Sequence, residues 1–196
     1  MQFVPYPKTP RLKRPVVITE KIDGTNAQIV IARVKTEDFP SNVLDMQNLT
    51  DGEHLVMLAG SRSRWITPGK ERDNFGFAQW VQDNADALWS LGEGQHFGEW
   101  YGSGIQRTYG LDHKRFALFN TARWGSHNPN TPACCEVVPV LPFQDHDEAI
   151  DFLRTNGTTL KGAEGHPAEG VIVFHTASKT VSKVLIENDN MPKGAL

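Results

Sequence analysis

The chain has 196 residues, 39% of them hydrophobic and 22% charged, and carries a formal net charge of −3. That length suffices to bury a core in one domain of ordinary size, and the composition is too apolar for a disordered chain. The small negative charge excludes a protein whose whole surface grips nucleic acid, leaving local basic patches for any such contact. No apolar run reaches the length of a membrane span, and the N-terminus lacks the apolar core of a signal peptide. Cys134 and Cys135 are adjacent, which disfavours a mutual disulfide and gives no zinc spacing. An intracellular, reducing compartment, cytoplasmic and without a membrane partner, is the expectation.

Residues 1–14 hold three prolines together with Lys8, Arg11, Lys13 and Arg14, and read as an extended basic arm. Residues 15–196 read as a single domain. Val16-Val17-Ile18 leads into Thr19-Glu20-Lys21-Ile22-Asp23-Gly24, and Ala27 to Ile31 leads out. Two strand-like runs thus flank a polar turn, and a rigid scaffold would present Lys21 to a pocket. Lysine is a poor nucleophile while protonated and a good one once its lone pair is free. The plain alternative is an Asp23-Gly24 turn with Lys21 as a solvated charge.

From Lys35 to Gly52 the chain turns polar, as expected of a surface excursion between paired strands that includes a short helical turn. A strand over 54–59 ends at Gly60-Ser61-Arg62-Ser63-Arg64. Asp73 or Asn74 caps a predicted helix running to about Leu91, with Phe77, Val81, Ala85 and Leu88 at near-helical spacing forming a core stripe. Strands are predicted over 95–100 and 115–120, separated by the glycine-rich Tyr101-Gly102-Ser103-Gly104, and over 136–141, where Pro139 and Pro142 interrupt. A second helix spans 147–154 and closes at Asn156-Gly157. Residues 169–174 and 180–186 complete the chain as two strands joined by a short turn. Strands and two helices without strict alternation indicate an α+β domain.

Glu99 ends a strand beside Gly98, and Glu169 opens one beside Gly170. Each alone reads as a solvated loop charge. Together with arginines and a special lysine they could build a phosphate and metal site, because carboxylates hold Mg²⁺ and the guanidinium fork grips phosphate. Lys183 interrupts the apolar run Val181 to Ile186, which an edge strand's solvent side would also permit. Phe119 reads as core, or as a ring on which a purine stacks.

The order of these signals carries more than any one of them. Glu20-Lys21-x-Asp23-Gly24, Ser61-Arg62, Phe97-Gly98-Glu99, the aromatic strand at Phe119, Glu169-Gly170-Val171-x-Val173 and Lys183 follow one another from about residue 16 to 186. That succession resembles the covalent nucleotidyltransferase superfamily of DNA ligases, RNA ligases and mRNA-capping guanylyltransferases. Phe97-Gly98-Glu99-Trp100-Tyr101-Gly102-Ser103-Gly104-Ile105-Gln106 is most similar to the RNA ligase 2 group, and Asn26 stands where DNA ligases and capping enzymes typically carry arginine. Asp23 departs from the histidine frequent in that group. Val181 stands in place of the earlier of two motif lysines; Lys179 could substitute, although its spacing does not match.

The resemblance implies an α+β, ATP-grasp-like nucleotidyltransferase domain of mainly antiparallel sheets with flanking helices and a nucleotide pocket between the sheets. It implies ATP with Mg²⁺, or Mn²⁺, as cofactors and RNA as the partner, with DNA as the alternative. Lys21 resembles the nucleophile that becomes linked to AMP, and Lys183 the lysine that binds the α-phosphate. Glu20 resembles the residue at the adenine edge, and Arg62 the arginine on phosphate or sugar, with Arg64 a second candidate. Glu99 resembles the carboxylate near the ribose, Phe119 the adenine-stacking ring, and Glu169 the carboxylate that organises the metal, with Glu99 beside it. Asp23, Gly24 and Asn26 complete the nucleotide-binding set. Only ten residues follow Ile186, so the usual C-terminal ligase domain is not expected, and sealing could require a protein partner. A DNA ligase, a capping-type enzyme or a non-catalytic nucleic-acid-binding module of the same fold are the competing expectations.

Overall fold

The structure is a computed structural model that describes residues 2–11, 13–187 and 189. Residues 2–11 form no regular element and lie exposed, Phe3 and Tyr6 among them. The packed body begins where Pro15 O accepts hydrogen bonds from the Thr176 N–H and hydroxyl.

In chain order the elements are β1 (Val16–Lys21), β2 (Thr25–Lys35), β3 (Asp45–Asn48), β4 (Glu53–Ser61), β5 (Trp65–Ile66), α1 (Phe77–Asp83) and α2 (Ala85–Leu88). Then follow β6 (Gly94–Gly102), β7 (Lys114–Leu118), β8 (Cys135–Val137), β9 (Val140–Leu141), α3 (His146–Asn156), β10 (Gly170–His175) and β11 (Thr180–Leu185). Short 3-10 turns cover Thr36–Asp38 and Trp89–Leu91. The architecture is α+β, as predicted. One sheet has the order β11-β10-β1-β9, and a larger one the order β3-β4-β2-β6-β7-β8 with β5 on β4. All pairings are antiparallel except β7 with β8.

The two runs beside Lys21 are strands, but they do not pair with each other. β1 belongs to the smaller sheet and β2 to the larger one, so residues 22–24 carry the chain across the seam. The expected strand over 136–141 divides likewise. Val138 N–H bonds to Leu118 O of the larger sheet, whereas Pro139, which has no N–H to give, offers its carbonyl to Glu20 N of the smaller one. Ile22 and Val138, one from each crossing, pack with Tyr101, Tyr109, Leu111, Ala117, Leu160 and Ala163 in a buried cluster that joins the sheets.

A second cluster fills the space between the larger sheet and α1 and α2, around Ile29, Met57, Phe77, Val81, Leu88 and Phe116. A third lies between the smaller sheet and α3, around Ile18, Ile150, Leu153 and Val171. The helix predicted up to Leu91 is broken at Asn84, whose side-chain amide donates to Trp80 O (2.8 Å) and whose own φ of −113° leaves the helical region. An asparagine that bonds the preceding turn competes with the helix for that carbonyl. Gly76 rather than Asp73 or Asn74 takes the cap position of α1, but the Asp73 carboxylate reaches in to accept from Ala78 and Gln79 N–H, the bonds a capping side chain would take. Asp145 caps α3 directly, and that helix ends at Gly157 with φ of 74°.

Gly24 is required by the first crossing. A Cβ there would stand 2.5 Å from Trp100 O and 3.0 Å from Glu99 Cγ. Gly24→Ala is therefore expected to cost about 1–3 kcal/mol by overpacking, read as a lowered urea midpoint. An unchanged midpoint would mean that the 22–24 crossing can move away from β6.

Candidate active site

Strand alternation divides the functional side chains of β1. Ile18 and Glu20 point toward α3 and the loop after it, whereas Thr19 and Lys21 point to the opposite face. Lys21 is the last residue of β1 and pairs with Gly170, which brings it beside Glu169. Its Nζ lies 2.5 Å from Glu169 Oε2, and the two side chains are 22% and 19% exposed. Burial raises the Glu169 pKa, and the bonded ammonium opposes that rise.

Glu99 comes from the larger sheet, on β6, and faces this pair across the seam. Burial drives its pKa to about 7; the Lys21 charge and the Gly24 N–H oppose the rise, while Glu169 and Asp23 add to it. Across from Glu99 on β2 stands Asn26. Three carboxylates, Asp23, Glu99 and Glu169, thus crowd around one lysine, and such crowding with partial burial is typical of functional sites. Among the described residues no group of three His, Cys, Asp or Glu side chains closes on one ion position. Two carboxylates still suit Mg²⁺ or Mn²⁺, because Mg²⁺ is usually held by one or two of them plus substrate phosphates. The raised pKa of Glu99 reflects first its burial and then the repulsion of Glu169 and Asp23.

Asp23 is held on both sides by the loop between β6 and β7. Its N–H donates to Tyr109 Oη (2.8 Å), and its Oδ2 accepts from Arg107 Nε (3.0 Å). Arg107 escaped the sequence reading. It sits in a turn 84 residues away, and no spacing rule links it to Asp23.

The remaining predicted residues are distributed as follows. Phe119 follows β7, is 40% exposed, and donates its N–H to Phe97 O (2.9 Å), in the row next to Asn26 and Glu99. Lys183 on β11 pairs with Ile172, which pairs with Thr19, so it shares the Lys21 face of the smaller sheet. Arg62 is exposed just after β4, beside the start of β2. Arg64 spends both terminal nitrogens on the carbonyls of Arg72 and Asp73 and so braces a neighbouring loop.

Two candidates are not brought to Lys21. Lys179 lies in the β10–β11 turn at the Val16 end of the sheet, five strand positions or about 16 Å from the Lys21 end. The Glu20 carboxylate is 1% exposed and is occupied by the Thr158 hydroxyl, the Thr159 N–H (2.8 Å) and the Thr159 hydroxyl (2.7 Å). That side chain ties β1 to the loop after α3; only its backbone remains on the strand that carries Lys21.

Two sheets meeting over a lysine and three carboxylates define a nucleotidyltransferase fold, and solved RNA ligases share it. Three variants of the Naegleria gruberi RNA ligase, each solved with ATP and manganese, superpose with TM-scores of 0.55, 0.53 and 0.53 at 16%, 14% and 16% identity. They cover 87%, 87% and 88% of this chain and 50%, 49% and 50% of theirs, so the chain spans about half the length of these proteins. The RNA ligase family model matches residues 14–185, and the chain belongs to that family. No curated protein matches it. No helix among the described residues is long and apolar enough to cross a membrane.

Two outcomes test this geometry. Removing the Glu20 carboxylate leaves the Thr158 and Thr159 donors unmatched in a buried setting, so Glu20→Ala is expected to lose about 2–4 kcal/mol in denaturant unfolding. Wild-type stability in that variant would show the three bonds to be dispensable. Glu99 holds its proton more tightly when folded, so its favourable contribution is complete below its ordinary value near 4.5 and is lost as pH rises through about 7. In chelator, Glu99→Gln should melt above wild type at pH 8, and that advantage should shrink toward pH 5.

Proposed function

We propose that the protein is an ATP-dependent RNA ligase working through a covalent lysyl-AMP intermediate on Lys21. The observation that supports this most directly is the half-buried Lys21–Glu169 pair facing Glu99 across the seam of the two sheets. The amine needs a free lone pair, and Glu169 Oε2 at 2.5 Å is a ready acceptor for the ammonium proton. Lys21 Nζ then bonds to the α-phosphorus of ATP as the bond to the β-phosphate bridging oxygen breaks, and pyrophosphate leaves.

AMP next passes to an RNA 5′-phosphate as the nitrogen–phosphorus bond breaks. A 3′-hydroxyl finally attacks that activated phosphate, joins the strands and releases AMP. Each step is phosphoryl-group transfer, where positioning and charge neutralisation supply most of the catalysis. Glu99 and Glu169 would hold the divalent ion, which when bound withdraws charge from phosphate oxygens. Phe119 would stack on adenine, Asn26 and Glu99 would face the ribose, Arg62 would contact phosphate or sugar, and Lys183 would approach the α-phosphate from β11, one strand beyond β10. Lys8, Arg11, Lys13 and Arg14, on the exposed segment before Pro15, would add sequence-independent contacts to the RNA backbone.

Incubation with ATP and Mg²⁺ or Mn²⁺ should add the mass of one AMP to the intact protein. Lys21→Arg should abolish the adduct, because guanidinium stays protonated. An adduct that persists in Lys21→Arg would remove Lys21 as the nucleophile. A panel of nicked duplexes then separates the substrates: sealing of RNA 3′-hydroxyl ends fits the proposal, and sealing of DNA ends alone would replace it.

A further inference from the structure

The β6–β7 loop is built to hold an arginine in one orientation. Ser103 N–H bonds to His113 O at its base, and Ile105, Tyr109 and Leu111 bury their side chains beneath it. Gln106, Thr108 and Tyr109 adopt φ of 43°, 55° and 53°. Left-handed backbone at three non-glycine positions, one of them β-branched, costs of order 1 kcal/mol each and persists only where the surroundings enforce it. Here the loop's buried anchors and the Tyr109–Asp23 bond enforce it. The result is that Arg107, between the strained residues, reaches Asp23.

The manner of that contact matters. Asp23 takes the Nε edge alone, and the Arg107 side chain remains 31% exposed. Arg64, Arg115 and Arg123 use terminal nitrogens on backbone carbonyls, but those of Arg107 bond to none of the described residues. A carboxylate on one edge fixes a guanidinium while leaving its other donors to a second anion, and the planar fork matches phosphate oxygens. Arg107 also lies near enough to Glu169 for its charge to act on that carboxylate. Lys21 must surrender its positive charge to attack, whereas arginine keeps its own throughout. Of these two cations in the cluster, Arg107 alone would persist as phosphate charge develops.

We propose that Arg107 is a catalytic residue that binds phosphate oxygens beside Lys21, with Asp23 aiming its fork. The role rests on the ligase reading. The phosphate has two possible sources, the departing β,γ-pyrophosphate of ATP or the 5′-phosphate of RNA.

The test follows Arg107→Ala, Arg107→Gln and Arg107→Lys in the full chain through two reactions. The first is adenylylation by ATP, with its reversal by added pyrophosphate. The second is AMP transfer from adenylylated protein to 5′-phosphorylated RNA. Arg107→Ala and Arg107→Gln should slow one reaction roughly 100-fold at saturating substrate, and Arg107→Lys should recover part of it. Loss of adenylylation together with its reversal assigns the fork to pyrophosphate; loss of transfer alone assigns it to RNA.

Glutamine can still bond Asp23 but carries no charge. Wild-type rates in Arg107→Gln beside a dead Arg107→Ala would therefore reduce Arg107 to a brace and overturn the proposal. Rates within threefold of wild type in every variant would overturn it too. If the alanine variant does not fold, the glutamine and lysine variants decide by the same criteria. A wild-type protein that forms no adenylate removes the ligase reading and the role of Arg107 with it; equal labelling and transfer in wild type and Arg107→Ala removes the role of Arg107 alone.

Discussion

The ion pair between Lys21 and Glu169 depends on where β1 ends and β10 begins. Those two ends pair, so one sheet delivers the cation and the anion together at its rim. The second sheet meets that rim and adds Glu99. A lone ammonium in so covered a position would be costly, as would a lone carboxylate. Each makes the other tolerable, and partial burial weakens solvent screening of the pair.

The seam is held by packing rather than by charge. The chain crosses from sheet to sheet at residues 22–24 and again at 138–139, and Ile22 and Val138 bury themselves in the same cluster. Tyr101 and Tyr109 belong to that cluster and stand edge to face. Both carry polar handles out of it: Tyr101 donates to Glu136, and Tyr109 accepts from the Asp23 N–H. The apolar joint and the polar site are thus built from the same residues, and the turn carrying Asp23 is positioned by the side chain of a loop 86 residues on.

Negative charge exceeds positive charge around Lys21, and that imbalance gives the site its chemical character. Burial above all, with Glu169 and Asp23 adding to it, raises the Glu99 pKa to about 7 against the opposing Lys21 charge. A site in that condition favours cationic visitors, and it favours phosphate only when cations accompany it. Arg107 borders it from the β6–β7 loop through its bond to Asp23.

Much of this was legible from the residues themselves. The β1 and β2 strands, the Asp73 carboxylate at the start of α1, the stop at Gly157, and the β10–β11 hairpin follow from local periodicity and turn chemistry, which act over a few residues. The ordered succession from Lys21 through Glu99 to Glu169 and Lys183 announced a family, because chemistry constrains which residue types recur and in what order. Tertiary structure alone decided that the strands flanking Lys21 belong to different sheets, that the Glu20 carboxylate is occupied by Thr158 and Thr159, that Lys179 stands at the far end, and that Arg107 meets Asp23. Each of those outcomes depends on contacts between segments far apart along the chain or on the direction of a strand within its sheet. Periodicity within a short window encodes neither, since pairing across a sheet is settled by the collective burial of all its strands.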